Sequence, residues 1–217
     1  MEKRIEKVIK NLQNNNINVV FAENTEKVRE AVKDMLFEGA DILSGGSVSL
    51  VESGVFDVIT SSEYNYYDRN KAGLSEKEKN DIFKKVIGCD FYFCSANALT
   101  ENGELINVDG FSNRISAISF GPKKVVMVVG LNKLVKDIDE GFLRVKKIAA
   151  PKNAMRLNRE TPCAKLGHCV CLEKTDTPQI TDGCNSEHRI CRNYIINSKQ
   201  MIKDRITVIL CAENLGY

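Results

Sequence analysis

Lys124-Val125-Val126-Met127-Val128-Val129-Gly130-Leu131-Asn132-Lys133 is the stretch that decides the fold class. Five apolar residues in a row, Val125 to Val129, leave neither face of a strand to water. That is the pattern of a strand covered on both sides in a parallel sheet. Lys133 follows within four residues of the run. It therefore falls at the C-terminal edge of the strand, where open α/β sheets present their ligand crevice.

Upstream, strand and helix patterns alternate. Ile5, Val8, Ile9 and Leu12 form one helical stripe, Asn18 to Ala22 a short strand, and Val28, Val32, Met35 and Leu36 a second stripe ended by Gly39. A strand at Asp41 to Leu43 runs into Ser44-Gly45-Gly46-Ser47. Residues 60–74 are polar and tyrosine-rich and read as an exposed loop. Ser75 and Glu78 make a capping box that opens a helix to about Ile87. Strands are expected at Phe91 to Cys94 and Glu104 to Val108, with a short helix from Asn113 to Phe120. Downstream, Ile138, Phe142, Val145 and Ile148 mark a helix, and a helix near Tyr194 to Ile202 precedes a strand from Ile206 to Leu210. The alternation predicts an α/β fold: an open, mixed, mostly parallel sheet with helices on both faces. No linker divides the chain, so residues 1–217 read as a single domain with an irregular, cysteine-rich C-terminal flap at about 151–192.

The 31 basic and 29 acidic residues give a net charge of +2 and are spread along the sequence. That balance speaks against nucleic-acid or membrane-surface binding, both of which need a concentrated basic face. No apolar run approaches the ~20 residues of a membrane span. Met1-Glu2-Lys3-Arg4 leads into a charged amphipathic segment rather than a signal peptide, so a cytoplasmic protein is expected.

Four segments can carry chemistry. Ser44-Gly45-Gly46-Ser47-Val48-Ser49 follows a strand, and its glycines, hydroxyls and helix start suit an anion, although a plain strand-to-helix turn uses the same residues. In Thr100-Glu101-Asn102-Gly103 and the stretch Asn107 to Arg114, Glu101 is a candidate base or nucleophile. Asp109 can accept from a sugar hydroxyl, and Arg114 can pair with a carboxylate or phosphate. A hairpin with Asn-Gly and Asp-Gly turns explains the same residues more simply. Lys133 faces the crevice, whereas Lys123 reads as a solvated surface charge. Finally, Cys163, Cys169, Cys171, Cys184 and Cys191 fall within 29 residues, with His168 and His188 among them. In a reducing compartment such density points to zinc or an iron–sulfur cluster before disulfides, although no spacing matches a zinc ribbon or a ferredoxin run. Cys89, Cys94 and Cys211 lie in or beside apolar strands and read as small buried hydrophobes. No GxGxxG follows a strand, so no nicotinamide site is evident.

The joint order of these motifs resembles the LUD (lactate utilisation) family from about Asp41 to Tyr217. The resemblance rests on Ser44 to Ser47, Ala98-Leu99-Thr100-Glu101-Asn102-Gly103, Asn107, Asp109, Gly110, Asn113 and Arg114. It continues through Phe120-Gly121-Pro122-Lys123, Val129-Gly130-Leu131-Asn132-Lys133, Ala150-Pro151, Thr161-Pro162-Cys163-Ala164 and Glu213 to Tyr217. In the family pattern Cys163, Cys169, Cys184 and Cys191 occupy four cysteine places, while residues 170–183 are an insertion and Cys171 is supernumerary. The resemblance implies a fold like that of ribose-5-phosphate isomerase A, glucosamine-6-phosphate deaminase and CoA transferases. Its crevice would be lined by Ser44, Gly45, Gly46, Ser47 and Ser49 on one side. Thr100, Asn107, Asp109, Asn113 and Arg114 would line the other; from their own chemistry and position, Glu101 and Lys133 are the catalytic candidates beside it. It also implies a part in oxidation of L-lactate or a related 2-hydroxy acid, alongside iron–sulfur partner subunits. Two other expectations stand beside this one: an isomerase or transferase acting on a sugar phosphate or acyl-CoA, and a non-catalytic ligand-sensing subunit. A homodimer is a candidate assembly.

Overall fold

The computed structural model describes residues 2–217; Met1 lies outside them. The decisive run is a strand, β7 (Lys124–Gly130), buried from Val125 onward. It stands third in a six-stranded sheet of order β1 (Asn18–Ala22), β10 (Ile206–Cys211), β7, β4 (Phe91–Cys94), β2 (Asp41–Ser44) and β3 (Asn65–Tyr66). Every pairing in that sheet is parallel. Neighbouring β4 and β10 are buried along their whole length, as strands sandwiched between helices must be.

Helices cover both faces. Val8 and Leu12 of α1 (Glu2–Asn14) and Ala117 and Ile118 of α6 (Asn113–Ser119) pack on one face against Met127, Val129, Val208 and Leu210. On the other, Val28 and Val32 of α2 (Thr25–Met35), Leu50 of α3 (Val48–Glu52) and Val55 and Ile59 of α4 (Val55–Ile59) meet Val126, Val128 and Ile209. Each of these Val, Leu, Ile and Met side chains taken out of water contributes ~1.5–3 kcal/mol before entropy is counted. α5 (Glu76–Lys84) opens with the expected capping box, both of whose hydrogen bonds are formed.

The antiparallel pairing lies in a second sheet of order β8 (Leu134–Val135), β5 (Ala98–Thr100), β6 (Leu105–Asp109), β9 (Asn193–Asn197). β5 and β6 form a hairpin whose turn carries Gly103 at φ +85°, a conformation that suits glycine. α7 (Ile138–Arg144) covers this sheet, and Phe142 joins Ile106 and Val108 in its core.

Three local expectations are corrected. Residues 193–197 form a strand rather than a helix, because β6 offers an open edge and Tyr-Ile-Ile suits a pleated surface. The helix marked by Ile138 to Ile148 runs on into the flap expected to be irregular from about 151. It passes through one wider π-type turn (Val145–Ala149) just before Pro151, which has no N–H to donate, and continues as α8 (Ala150–Arg156). Another short helix, α9 (Pro162–Leu166), follows, so the cysteine-rich region is irregular only in part. Residues 60–74 are not simply an exposed loop, since they supply the edge strand β3 and one wall of the crevice described next.

Candidate functional site

The C-terminal ends of β2, β4 and β7 open onto one crevice of about 890 Å3, and Tyr217 at the chain end also lines it. The turn after β2 brings Gly46, Ser47 and Ser49 to it, the residue after β4 brings Ser95, and the turn after β7 brings Lys133. This is the place the topology of a parallel sheet reserves for ligands. Nine lysines and arginines line the crevice (Arg69, Lys71, Lys79, Arg114, Lys133, Arg156, Arg159, Arg189 and Arg192) against two carboxylates, Asp109 and Glu187. The near-neutral chain has concentrated its positive charge here.

Lys133 lies at the crevice floor with only 3% of its surface exposed. Its Nζ donates to Ser49 Oγ at 2.8 Å and Ser95 Oγ at 3.0 Å. Both hydroxyls have spent their own hydrogens, Ser49 on the Leu215 carbonyl at 3.2 Å and Ser95 on the Val128 carbonyl at 2.6 Å. They can therefore only accept from the amine. Either an ammonium, with three N–H donors, or a neutral amine can make these two bonds, and only the neutral form keeps a lone pair free. Burial pushes the Lys133 amine down to about 7, and the neighbouring Arg144 and Arg114 push the same way. The segment Leu215–Tyr217 closes over this group. Gly216 has φ +58°, and a Cβ there would stand 2.6 Å from Ser49 Oγ, so the tail's close approach requires glycine.

Arg114 and Asp109 form the brace behind the floor. Asp109 accepts from the Arg114 guanidinium at 2.7 Å and 2.9 Å, and from the Arg114 and Ile115 amides at 3.0 Å each. Arg114 also donates to Asn97 Oδ1, to the Val108 carbonyl and, at 3.1 Å, to the Ser95 carbonyl. Asn107 reaches the same Ser95 carbonyl at 2.9 Å. These residues hold Ser95, and through it Lys133, in place. Asn113 lines the crevice beside them.

Other expected site residues lie elsewhere. Ser44 turns to the Tyr66 hydroxyl at 2.7 Å, and a Cβ on Gly45 would meet Tyr92 and Arg114, so both stand behind the crevice. Thr100 is buried against Glu104, and Asn107 is fully buried. Glu101 is in the β5–β6 turn, where Arg4 (2.6 Å) and Lys7 (3.0 Å) of α1 hold it. Those bonds keep its carboxyl below the usual range, the opposite of what a general base near neutral pH needs. The hairpin reading accounts for Thr100 to Gly103, and Glu101 is corrected from catalytic group to a surface link between hairpin and helix. Ser95, Arg69, Arg156 and Tyr217 were not singled out in the sequence. For Ser95 a signal existed, its position one residue past β4.

The four cysteines at family positions, Cys163, Cys169, Cys184 and Cys191, converge on one small, nearly apolar cavity in the flap, with Lys146, Asp182 and Tyr194 also on its wall. All are free thiols. Burial raises the Cys163 thiol, and Cys184, Cys191 and Cys169 stand near enough to raise it further. Cys171 lies outside that wall, 3.3 Å from Cys169. Arg189 joins cavity and crevice: it lines the crevice while its Nε donates to Cys191 Sγ at 3.3 Å. Among the described residues, no three His, Cys, Asp or Glu side chains are gathered closely enough to share one metal ion. No described helix is long and apolar enough to cross a membrane.

Comparison with curated proteins finds no match. Among solved structures, a DUF162 family protein from Deinococcus radiodurans is similar over 97% of each chain, with a TM-score of 0.52 at 13% identity, a likeness of fold. The sequence profile described as the LUD domain matches residues 5–211. With nearly its whole length matched, this chain belongs to the LUD-domain family.

Proposed function

We propose that this chain binds an anionic small metabolite in the basic crevice and acts on it through Lys133 as a neutral amine. The observation that carries the reading is the amine itself, buried, hydrogen-bonded to two acceptor-only hydroxyls and lowered to about 7. The leading reaction class is oxidation of L-lactate or a related 2-hydroxy acid, with electron-carrying partner subunits. That reaction needs a cationic wall for the carboxylate and a base for the hydroxyl proton, and the crevice supplies both. The two electrons need an acceptor such as an electron-carrying partner subunit, and Arg189, which lines the crevice, also donates to Cys191 of the thiol-lined cavity.

Crevice size favours a second reading. About 890 Å3 is room for a ligand far larger than a three-carbon acid. The eight basic side chains besides Lys133 also exceed what a single carboxylate requires. A phosphorylated sugar or an acyl-CoA fills both features, with Lys133 as the base of an isomerase or the nucleophile of a transferase. Glu101 plays no part in either.

Calorimetric titration with L-lactate, ribose 5-phosphate and acetyl-CoA separates the readings. The proposal expects at least one of these anions to bind, more weakly as salt rises, with binding retained and turnover lost in Lys133→Met. Failure of all three, or turnover unchanged in Lys133→Met, contradicts it.

A further inference from the structure

Cys163, Cys169, Cys184 and Cys191 come from three separate segments of the flap, and chain folding alone brings them to one cavity. They are not paired as disulfides. The cavity is just large enough to admit a water-sized sphere, which keeps a lining sulfur at least ~3.2 Å from its centre. A zinc–thiolate bond is ~2.3 Å. Accordingly, no three of the thiols are close enough to share a single ion. They are spread around a space instead of drawn to a point. A four-iron, four-sulfide cube suits such an arrangement, because each thiolate binds its own corner and the inorganic core fills the middle.

Charge agrees. Four thiolates on such a core leave it anionic, and two cations stand against it. Lys146 is buried on the cavity wall with its Nζ bonded to the Ile180 and Asp182 carbonyls, at 3.1 Å and 2.6 Å. Arg189 donates to Cys191 Sγ and, at 3.2 Å, to the Cys184 carbonyl. Asp182 is the acidic residue on that wall. Otherwise the lining is apolar, from Val145, Ala150, Pro151 and Val170, which shields a cluster from water.

We propose that Cys163, Cys169, Cys184 and Cys191 bind an iron–sulfur cluster in the flap, each thiol giving up its proton to solvent as it binds iron. The site does not depend on which ligand the crevice takes.

The test is iron, acid-labile sulfide and visible absorbance on the full chain, purified anaerobically or reconstituted with iron and sulfide. The expected result is about four irons and four sulfides per chain with broad charge-transfer absorbance. Cys163→Ser loses both, and Cys171→Ser keeps them because Cys171 does not line the cavity. If Cys163→Ser fails to fold, alkylation of the unsubstituted chain decides. The four thiols should be protected when loaded and react after chelation. Zinc without sulfide, no bound iron after reconstitution, alkylation indifferent to loading, or equal loss in Cys171→Ser overturns the proposal.

Discussion

Lys133 shows how a fold can change the chemistry of a side chain. In water its amine is a cation to about pH 10.5; on the crevice floor, desolvated and near Arg144 and Arg114, it releases its proton at about 7. Activity that uses the neutral amine should therefore rise as pH climbs through about 7, and Lys133→Met should lower turnover ~10²–10⁴-fold. A profile flat across that range would contradict the role. Stability carries the same signature with a definite sign. Between pH 7 and 10.5 the unfolded chain binds the proton that the folded chain has released, so stability rises with pH across that window. Lys133→Met should remove that part of the slope in denaturant titrations at several pH values. Behind the floor, Asp109 and Arg114 are a nearly buried pair with 10% and 14% side-chain exposure. Asp109→Ala strands the guanidinium and should cost ~3–5 kcal/mol in urea unfolding. A loss under ~1 kcal/mol would mean that water replaces the carboxylate and that the brace is dispensable.

At the scale of elements, the second sheet depends on a close approach of α7. A Cβ on Gly141 would run into Ile106 Cδ1 in the core of that sheet. Gly141→Ala should therefore destabilise the protein by ~1–3 kcal/mol, although alanine is the better helix former; a stabilised variant would show that the helix shifts freely. By contrast Glu101→Gln removes only exposed contacts to Arg4 and Lys7, and activity should be unchanged. A lost activity would return Glu101 to the site. Elements governed by local pattern were legible in the sequence. The β7 run, the Ser75–Glu78 box and the α1 stripe each carry their periodicity or cap within a few residues. What depended on distant partners was not. Strand β9 exists because β6 needs an edge partner, and that partner is distant in sequence: Asn107 stands opposite Ile195, 88 residues away. Glu101 looked catalytic because the sequence does not reveal that Arg4 and Lys7 stand over the hairpin turn.

Over the whole molecule, three parallel strands end at one crevice, and the walls gathered there hold a charge that composition conceals. A net charge of +2 gave no sign of eight cations besides Lys133 facing two carboxylates across one opening. Lys133 was legible because a buried strand points to its own C-terminal end. The arginine wall was not, since Arg69, Arg156 and Arg189 arrive from three unrelated segments. Anion affinity should fall steadily as ionic strength rises, because part of this wall is open to solvent and screened within ~10 Å at 0.1 M salt. Affinity independent of salt would mean that the wall does not take part in binding.

The proposed chemistry depends above all on the protonation state of Lys133. The direct measurement is an NMR pH titration of the lysine side chains in isotope-labelled protein, with the Lys133 signal assigned by its disappearance in Lys133→Met. The account predicts a midpoint at about 7, well separated from the surface lysines. A midpoint near 10.5 would leave Lys133 a permanent cation in the crevice floor and would contradict its role as the working amine.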